Sequence, residues 1–260
     1  MAKEIIVLLF SFNVLLLNLK VLYSPFIDLY CYSIVMEIFL NFKLNGHLFL
    51  RDPEDSKIGK VIVKKSIELI FEVGFEQFTF KKLAQKISST EATIYRYFSS
   101  KHKLLLYILN WYWSYLEYVS KLRITQEKDP AEKLKLIVDI ITHNTDNQLQ
   151  IQDYNLEQLH YIVISESSKC YLVKDIDEIN REMVFSPLKS LCMFFSEVLL
   201  EINPQFPYPR SFASTLLETA HDQQFFSEHL PKLTDNTERQ EHKNYVRDYL
   251  NRLASSVINN

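Results

Sequence analysis

The sequence predicts an all-α protein, and three observations carry that prediction. Only 3 glycines occur in 260 residues, against an average usage of roughly 7%, and the tight turns of β-hairpins lean on glycine. Apolar residues recur at helical spacing from Lys57 onward. Serine, threonine or aspartate stands where helices would need N-caps, and prolines and polar clusters mark the breaks between them. A hydrophobic content of 47% and a charged content of 23% are those of an ordinary globular chain. The length allows one large domain or two small ones. Gly46, Gly59 and Gly74 are too scattered for a dinucleotide fingerprint or a phosphate loop, so no cofactor is expected.

The first residues differ in character from the rest. Residues 5–17 read IIVLLFSFNVLLL after Lys3, like the start of a signal peptide or an anchor. The stretch after Lys20 lacks a small-residue cleavage site. Asn13, Asn18 and Lys20 interrupt the run before the roughly 20 apolar residues that a bilayer requires. Residues 1–35 have the composition of translated AT-rich DNA, which makes them an upstream extension with Met36 as the true start. An apolar anchor and a genuine helical extension are the other two readings. Residues 36–56 form an arm before the first clear domain.

From Lys57 the elements follow in order. Ile62, Ser66, Leu69, Ile70 and Val73 form one stripe of an amphipathic helix, and Gly74 follows where a left-handed cap would end it. Thr79 caps a second, two-turn helix, FKKLAQKI. Ser88, Ser89 and Thr90 form a turn, with Thr90 capping a third helix, EATIYRYF. Ser100 caps a fourth, starting at Lys101. Two short helices joined by a tight turn, between longer ones, make a helix-turn-helix at 79–98 within a domain spanning 57–103. The third helix presents Glu91, Ala92 and Thr93 in its first turn and Arg96 outward, side chains able to reach base edges in a major groove. Ile94 and Phe98 would join Leu83 and Ala84 in the core. A lysine in the first turn of the fourth helix opposes the helix dipole, which makes sense if an external phosphate binds there.

Charge supports a polyanionic partner. Residues 51–123 carry a net +5, residues 124–260 a net −8, and the whole chain −3.

Residues 61–105, most sharply FTFKKLAQKISSTEATIYRYFSSKHKLL at 78–105, resemble the DNA-binding domain of the tetracycline-repressor (TetR) family. Gly74, Phe75, Thr79, Leu83, Ala84, Thr93, Ile94, Tyr95, Tyr97, Phe98, Ser100, Lys101 and Leu104 fall in register with its pattern. Two positions depart: Ser88 stands where the family has its turn glycine, and Ser89 where it has an apolar residue. The resemblance implies phosphate contacts from Thr79, Tyr95, Tyr97 and Lys101. Glu91, Ala92, Thr93 and Arg96 become the base-facing set.

Residues 104–260 read as further helices at 130–145, 153–165, 172–184, 187–201, 210–230 and 236–257. Asp129 and Pro130 supply an N-cap and a first helical residue. In the family this region houses an apolar effector pocket and a dimer face. The aromatic density nominates Trp111, Tyr115, Tyr154, Tyr161 and Phe185 for the pocket, and 210–230 with 236–257 for the dimer face. His143, His160, His221, His229 and His242 have no metal-ligand spacing, so each reads as a surface or internally satisfied histidine. Cys31, Cys170 and Cys192 have neither zinc nor redox spacing and read as reduced thiols of a cytoplasmic protein. No catalytic motif occurs.

The resulting expectation is a cytoplasmic, homodimeric, non-enzymatic repressor without metal or membrane association. It would bind a near-palindromic double-stranded DNA operator and be released by a small, largely apolar effector. Two alternatives are a regulator tethered to the membrane by residues 5–40, and a small-molecule carrier or enzyme with a vestigial DNA-binding head.

Overall fold

Ser56 opens the first helix by accepting a hydrogen bond from the Gly59 amide at 3.1 Å. In the computed structural model, which describes residues 42–143, 154–236 and 241–258, this helix, α1, spans Lys57–Gln77. The expectations for residues 1–35, for Met36 and for an anchor at 5–40 lie outside the described residues. A Cβ on Gly59 would sit 2.3 Å from the Pro53 carbonyl oxygen, so glycine is what lets α1 lie directly on the turn at Pro53–Asp55. The helix buries Ile62, Val63, Ser66, Ile67, Leu69 and Ile70. Val73, placed on the same stripe by its spacing, is exposed. Helical geometry breaks at Gly74, with φ 75° and ψ 158°. The expected left-handed cap is instead a conformation essentially restricted to glycine, and one more turn of chain follows it.

Three further helices follow. Thr79 caps α2, Phe80–Lys86, by accepting from the Lys82 amide. Thr90 caps α3, Glu91–Tyr95, by accepting from the Thr93 amide. The third helix is shorter than EATIYRYF, since residues 96–98 leave it as a turn, with the Tyr97 and Phe98 amides both on the Ile94 carbonyl. Ser100 caps α4, Lys101–Ile124, by accepting from the Lys103 amide.

Residues 104–113 of α4 are all buried, as expected of a helix that is apolar all round, and the body is assembled about it. The body helices are α5 (Pro130–Ile141), α6 (Leu156–Glu166), α7 (Ser168–Tyr171), α8 (Ile176–Arg181), α9 (Ser186–Ile202), α10 (Pro209–His229) and α11 (His242–Ile258). Asp129 caps α5 with Pro130 at its start. Of the helix expected at 172–184 only Ile176–Arg181, α8, forms; α7 at Ser168–Tyr171 precedes that span. Helix α9 packs on α4 and α10, α10 on α11, and α6 bridges to α1. Among the described residues there are eleven α-helices and no strand. None of those helices is long and apolar enough to cross a membrane.

Candidate nucleic-acid interface and interior cavity

The turn between α2 and α3 explains itself once its hydrogen bonds are traced. The Ser89 amide donates to the Ala84 carbonyl at 2.9 Å and the Ser88 amide to Gln85 at 3.2 Å. That pair of bonds is a Schellman motif. It requires a left-handed residue at its centre, and Ser88 has φ 51°. The substitution of serine for glycine therefore leaves the turn's shape intact, at a cost in backbone strain.

With the turn set, α3 presents Glu91, Ala92 and Arg96 to solvent, with Thr93 half-buried beside them. The Thr93 hydroxyl lies 3.1 Å from that of Thr90 and accepts from Arg96 Nη2 at 3.3 Å, which holds the guanidinium over the first turn. Ile94 and Phe98 are buried, as are Leu83 and Ala84. Thr79 and Tyr95 are exposed. Tyr95 packs edge-on against Phe80 at 5.0 Å while about half of its surface stays exposed.

The other two residues expected on phosphate are engaged within the protein. Tyr97 is about 2% exposed, and its hydroxyl lies 2.8 Å from Ser56 Oγ. It ties the end of the recognition segment to the start of α1. Lys101 donates to the carbonyls of Phe75, Glu76 and Phe78 at 3.0, 3.2 and 3.3 Å, and its Nζ sits 4.7 Å from the Phe75 ring centre. An ammonium has three protons, so in this arrangement all are spent on closing the end of α1. The spacing argument could not see this, because the acceptors lie more than twenty residues upstream.

A second joint meets the same place from the body. Glu166, the last residue of α6, is buried. Its Oε1 accepts from the Phe75 amide at 3.1 Å, and its Oε2 pairs with Lys169 Nζ at 2.7 Å. Lys169 also pairs with Glu76 at 3.0 Å. Nothing in the sequence marks Glu166, since its partner is 91 residues away.

One face of α6 lines a cavity of about 590 Å³. Its walls are Phe71 of α1, with Glu157, His160, Tyr161 and Ile164 of α6. Gln224, Glu228 and His229 of α10 and residues 241–244 complete it. Of the five aromatics nominated for a pocket, Tyr161 lines this cavity. Trp111, Tyr115 and Tyr154 pack on one another instead, Trp111 lying 4.9 Å from Tyr154 and 6.0 Å from Tyr115. Phe185 is half-buried against the core.

Behind the cavity lies a group of histidines that the sequence had dispersed. Gln224 Nε2 donates to the Ala220 carbonyl at 3.0 Å, which turns its Oε1 toward His160 Nε2, also at 3.0 Å. His160 therefore carries its proton on Nε2 and accepts at Nδ1 from the Tyr112 hydroxyl at 2.6 Å. His143 stacks on His160 at 4.6 Å. His221 lies 6.3 Å from His160, and both its ring nitrogens are buried without a hydrogen-bond partner, contrary to the expectation of a satisfied or surface histidine. Burial holds His143 and His221 down at about 4 and His160 well below the ordinary imidazole range, so all three are neutral at pH 7. Among the described residues no group of three or more histidine, cysteine or acidic side chains is disposed to hold a metal.

Residues 62–108 match the family model of bacterial regulatory proteins of the tetR family. That stretch of the chain is similar to the family. The match covers most of α1, α2, the turn and α3 and reaches into α4, much the same stretch as the 61–105 picked out from the sequence. No curated protein matches the chain. Solved structures share the helical fold beyond those residues. A transcriptional regulator from Rhodococcus sp. Rha1 is 16% identical with a TM-score of 0.57, over 80% of this chain and 97% of its own. The fatty acid degradation regulator FadR from Bacillus halodurans is 16% identical with a TM-score of 0.54, over 75% and 92%. AibR, in complex with isovaleryl coenzyme A and operator DNA, is 17% identical with a TM-score of 0.51, over 74% and 96%. At such identities the likeness concerns architecture: a helix-turn-helix head on a larger helical body.

Proposed function

We propose that this protein is a homodimeric, sequence-specific DNA-binding regulator that represses transcription and is released from its operator by a small molecule. The observation that carries the reading is the TetR-type head itself, in which α2, a Schellman turn and α3 leave Glu91, Ala92 and Arg96 exposed on one short helix. Thr93, Glu91, Ala92 and Arg96 would read bases, and Thr79 and Tyr95 would grip phosphate. The amides at the start of α4 offer a further phosphate site. Tyr97 and Lys101 serve this interface by holding α1, α3 and α4 together. Phosphate contacts set affinity and base contacts set preference.

Dimerisation through 210–230 and 236–257 would place two copies of α3 about 34–36 Å apart, one helical turn of DNA, and would call for a near-palindromic site. Helix α6 supports coupling, because it lines the cavity along its length and ends at Glu166 on the Phe75 amide. An occupant that prefers one setting of α6 would shift the population of head geometries. One with equal affinity for both settings would not. AibR is a protein of this fold whose complex holds both an acyl thioester and operator DNA. A non-enzymatic, cytoplasmic role follows from the same reading.

The test is salt-titrated binding of the full chain to DNA upstream of its own gene and to a scrambled duplex of equal length. Preference of ~10³-fold or more is expected of a specific regulator. Equal, steeply salt-dependent binding to both would contradict autoregulation through this site.

A further inference from the structure

The cavity beside α6 has a chemistry that narrows its occupant. Phe71 is about 41% exposed although it is a phenylalanine on a core helix, and it meets Tyr161 edge-on at 5.2 Å. Together these rings form an open aromatic wall, whose burial would favour a flat apolar body. The polar floor asks for nothing. His160, Gln224 and Ala220 satisfy one another in a directed chain, so no donor or acceptor there needs a partner from a ligand.

What remains uncompensated is negative charge. Among the described residues, three carboxylates line the cavity against one lysine. Glu157 is taken by Lys243 at 3.0 Å, with His143 3.5 Å away. Glu228 has the His229 imidazole at 3.9 Å, and Glu241 accepts from the Asn244 amide at 2.6 Å. Among the described residues neither has an ion pair with a lysine or an arginine. An anionic occupant would meet two carboxylates of its own sign, and a neutral one would leave them unused. A cation would gain from both and from the aromatic faces.

We propose that this cavity binds a flat aromatic cation, with its rings on Phe71 and Tyr161 and its positive charge toward Glu228 and Glu241. The inference rests on the reading of this chain as a ligand-switched regulator only for its consequence, release of DNA. The binding itself stands apart from it. The same charge argument sets this cavity apart from one built for an anionic coenzyme A thioester.

Three fluorescent probes of similar size test it on the full chain without DNA: thioflavin T (cationic), N-phenyl-1-naphthylamine (neutral) and 8-anilinonaphthalene-1-sulfonate (anionic). Thioflavin T should saturate at one per chain and bind at least about tenfold more tightly than the anion. The double substitution Glu228→Gln with Glu241→Gln should weaken it by roughly three- to tenfold, the range of two partly exposed charge contacts, and leave the neutral probe unchanged. Ile164→Trp, which puts an indole into the cavity, should weaken binding of the cation. Equal or tighter binding of the anion, or a cation affinity indifferent to the double substitution, overturns the proposal. The regulator reading is scored separately by operator binding of the unliganded chain. Cation binding without specific DNA binding would sink that reading and leave this one standing.

Discussion

Replacing Lys101 by methionine separates two roles that a lysine at the start of α4 can play. Methionine keeps the length and apolar stem and removes the charge. The structure gives the ammonium three carbonyl acceptors, at Phe75, Glu76 and Phe78, and a place above the Phe75 ring. Hydrogen bonds to a charged group contribute about 1.5–3 kcal/mol, and an exposed cation–π contact about 0.5–1 kcal/mol. Release of the lysine from one ordered rotamer returns up to about 2 kcal/mol. The three carbonyls lie partly within reach of water, which softens their loss. The balance is a destabilisation of about 2 kcal/mol, or a Tm lowered by about 4–8 °C for a domain of this size. Thermal unfolding measures that change. Binding to one duplex across a salt series measures the other role, because a phosphate contact contributes about 0.9 to the slope of log K against log salt. The expected result is a lower Tm with an unchanged slope. An unchanged Tm with the slope reduced by about one would refute the capping role and return Lys101 to the phosphate set.

Three further outcomes follow from other joints. Ser88→Gly relieves left-handed strain of up to about 1–2 kcal/mol and gives back about 0.5–1 kcal/mol in chain entropy, so a Tm higher by a few degrees is expected; a lower Tm would contradict the turn geometry. Glu166→Ala leaves the Phe75 amide buried without an acceptor, which costs about 1–3 kcal/mol, while Glu166→Gln keeps an acceptor and should recover most of it in chemical denaturation; equal losses in both variants would place the weight on the Lys169 ion pair. Acid should destabilise the fold before the carboxylates titrate. His143 and His221 sit at about 4 when folded against about 6.5 unfolded, so their stabilisation is complete above pH 6.5 and is lost as pH falls toward 4, by up to about 1.4 kcal/mol per pH unit for each; denaturation midpoints that stay flat between pH 6.5 and 4.5 would contradict three neutral buried imidazoles.

The head was legible in the sequence wherever its logic is local. Thr79, Thr90 and Ser100 each cap a helix by accepting from an amide three residues on, and Asp129, followed by Pro130, opens α5 by accepting from the Ala131 amide two residues on. A cap needs only a few consecutive residues, so spacing alone reveals it. Tyr97 and Lys101 turned inward because their partners, Ser56 and the carbonyls after Gly74, come from far upstream, and no local pattern distinguishes a hydroxyl aimed at phosphate from one aimed at a serine. The histidines were opaque for the same reason: α5, α6 and α10 must pack before His143, His160 and His221 can meet. Aromatic density named the body's core and its cavity without separating them, since Trp111 and Tyr161 carry the same signal and only packing decides which is sealed. The carboxylates that rim the cavity beside α6 could not be grouped from the sequence, because Glu157, Glu228 and Glu241 lie on separate segments.

The central claim is that α3 reads base sequence as one half of a symmetric pair. It is tested most directly by selecting bound duplexes from a randomised pool with the full-length protein, at a salt concentration where backbone binding is weak. The account predicts enrichment of a near-palindrome whose half-sites lie one helical turn apart, with preference at the contacted positions altered by Arg96→Ala and by substitution of Thr93. A pool that emerges without a common motif, or a motif unchanged by both substitutions, would contradict it.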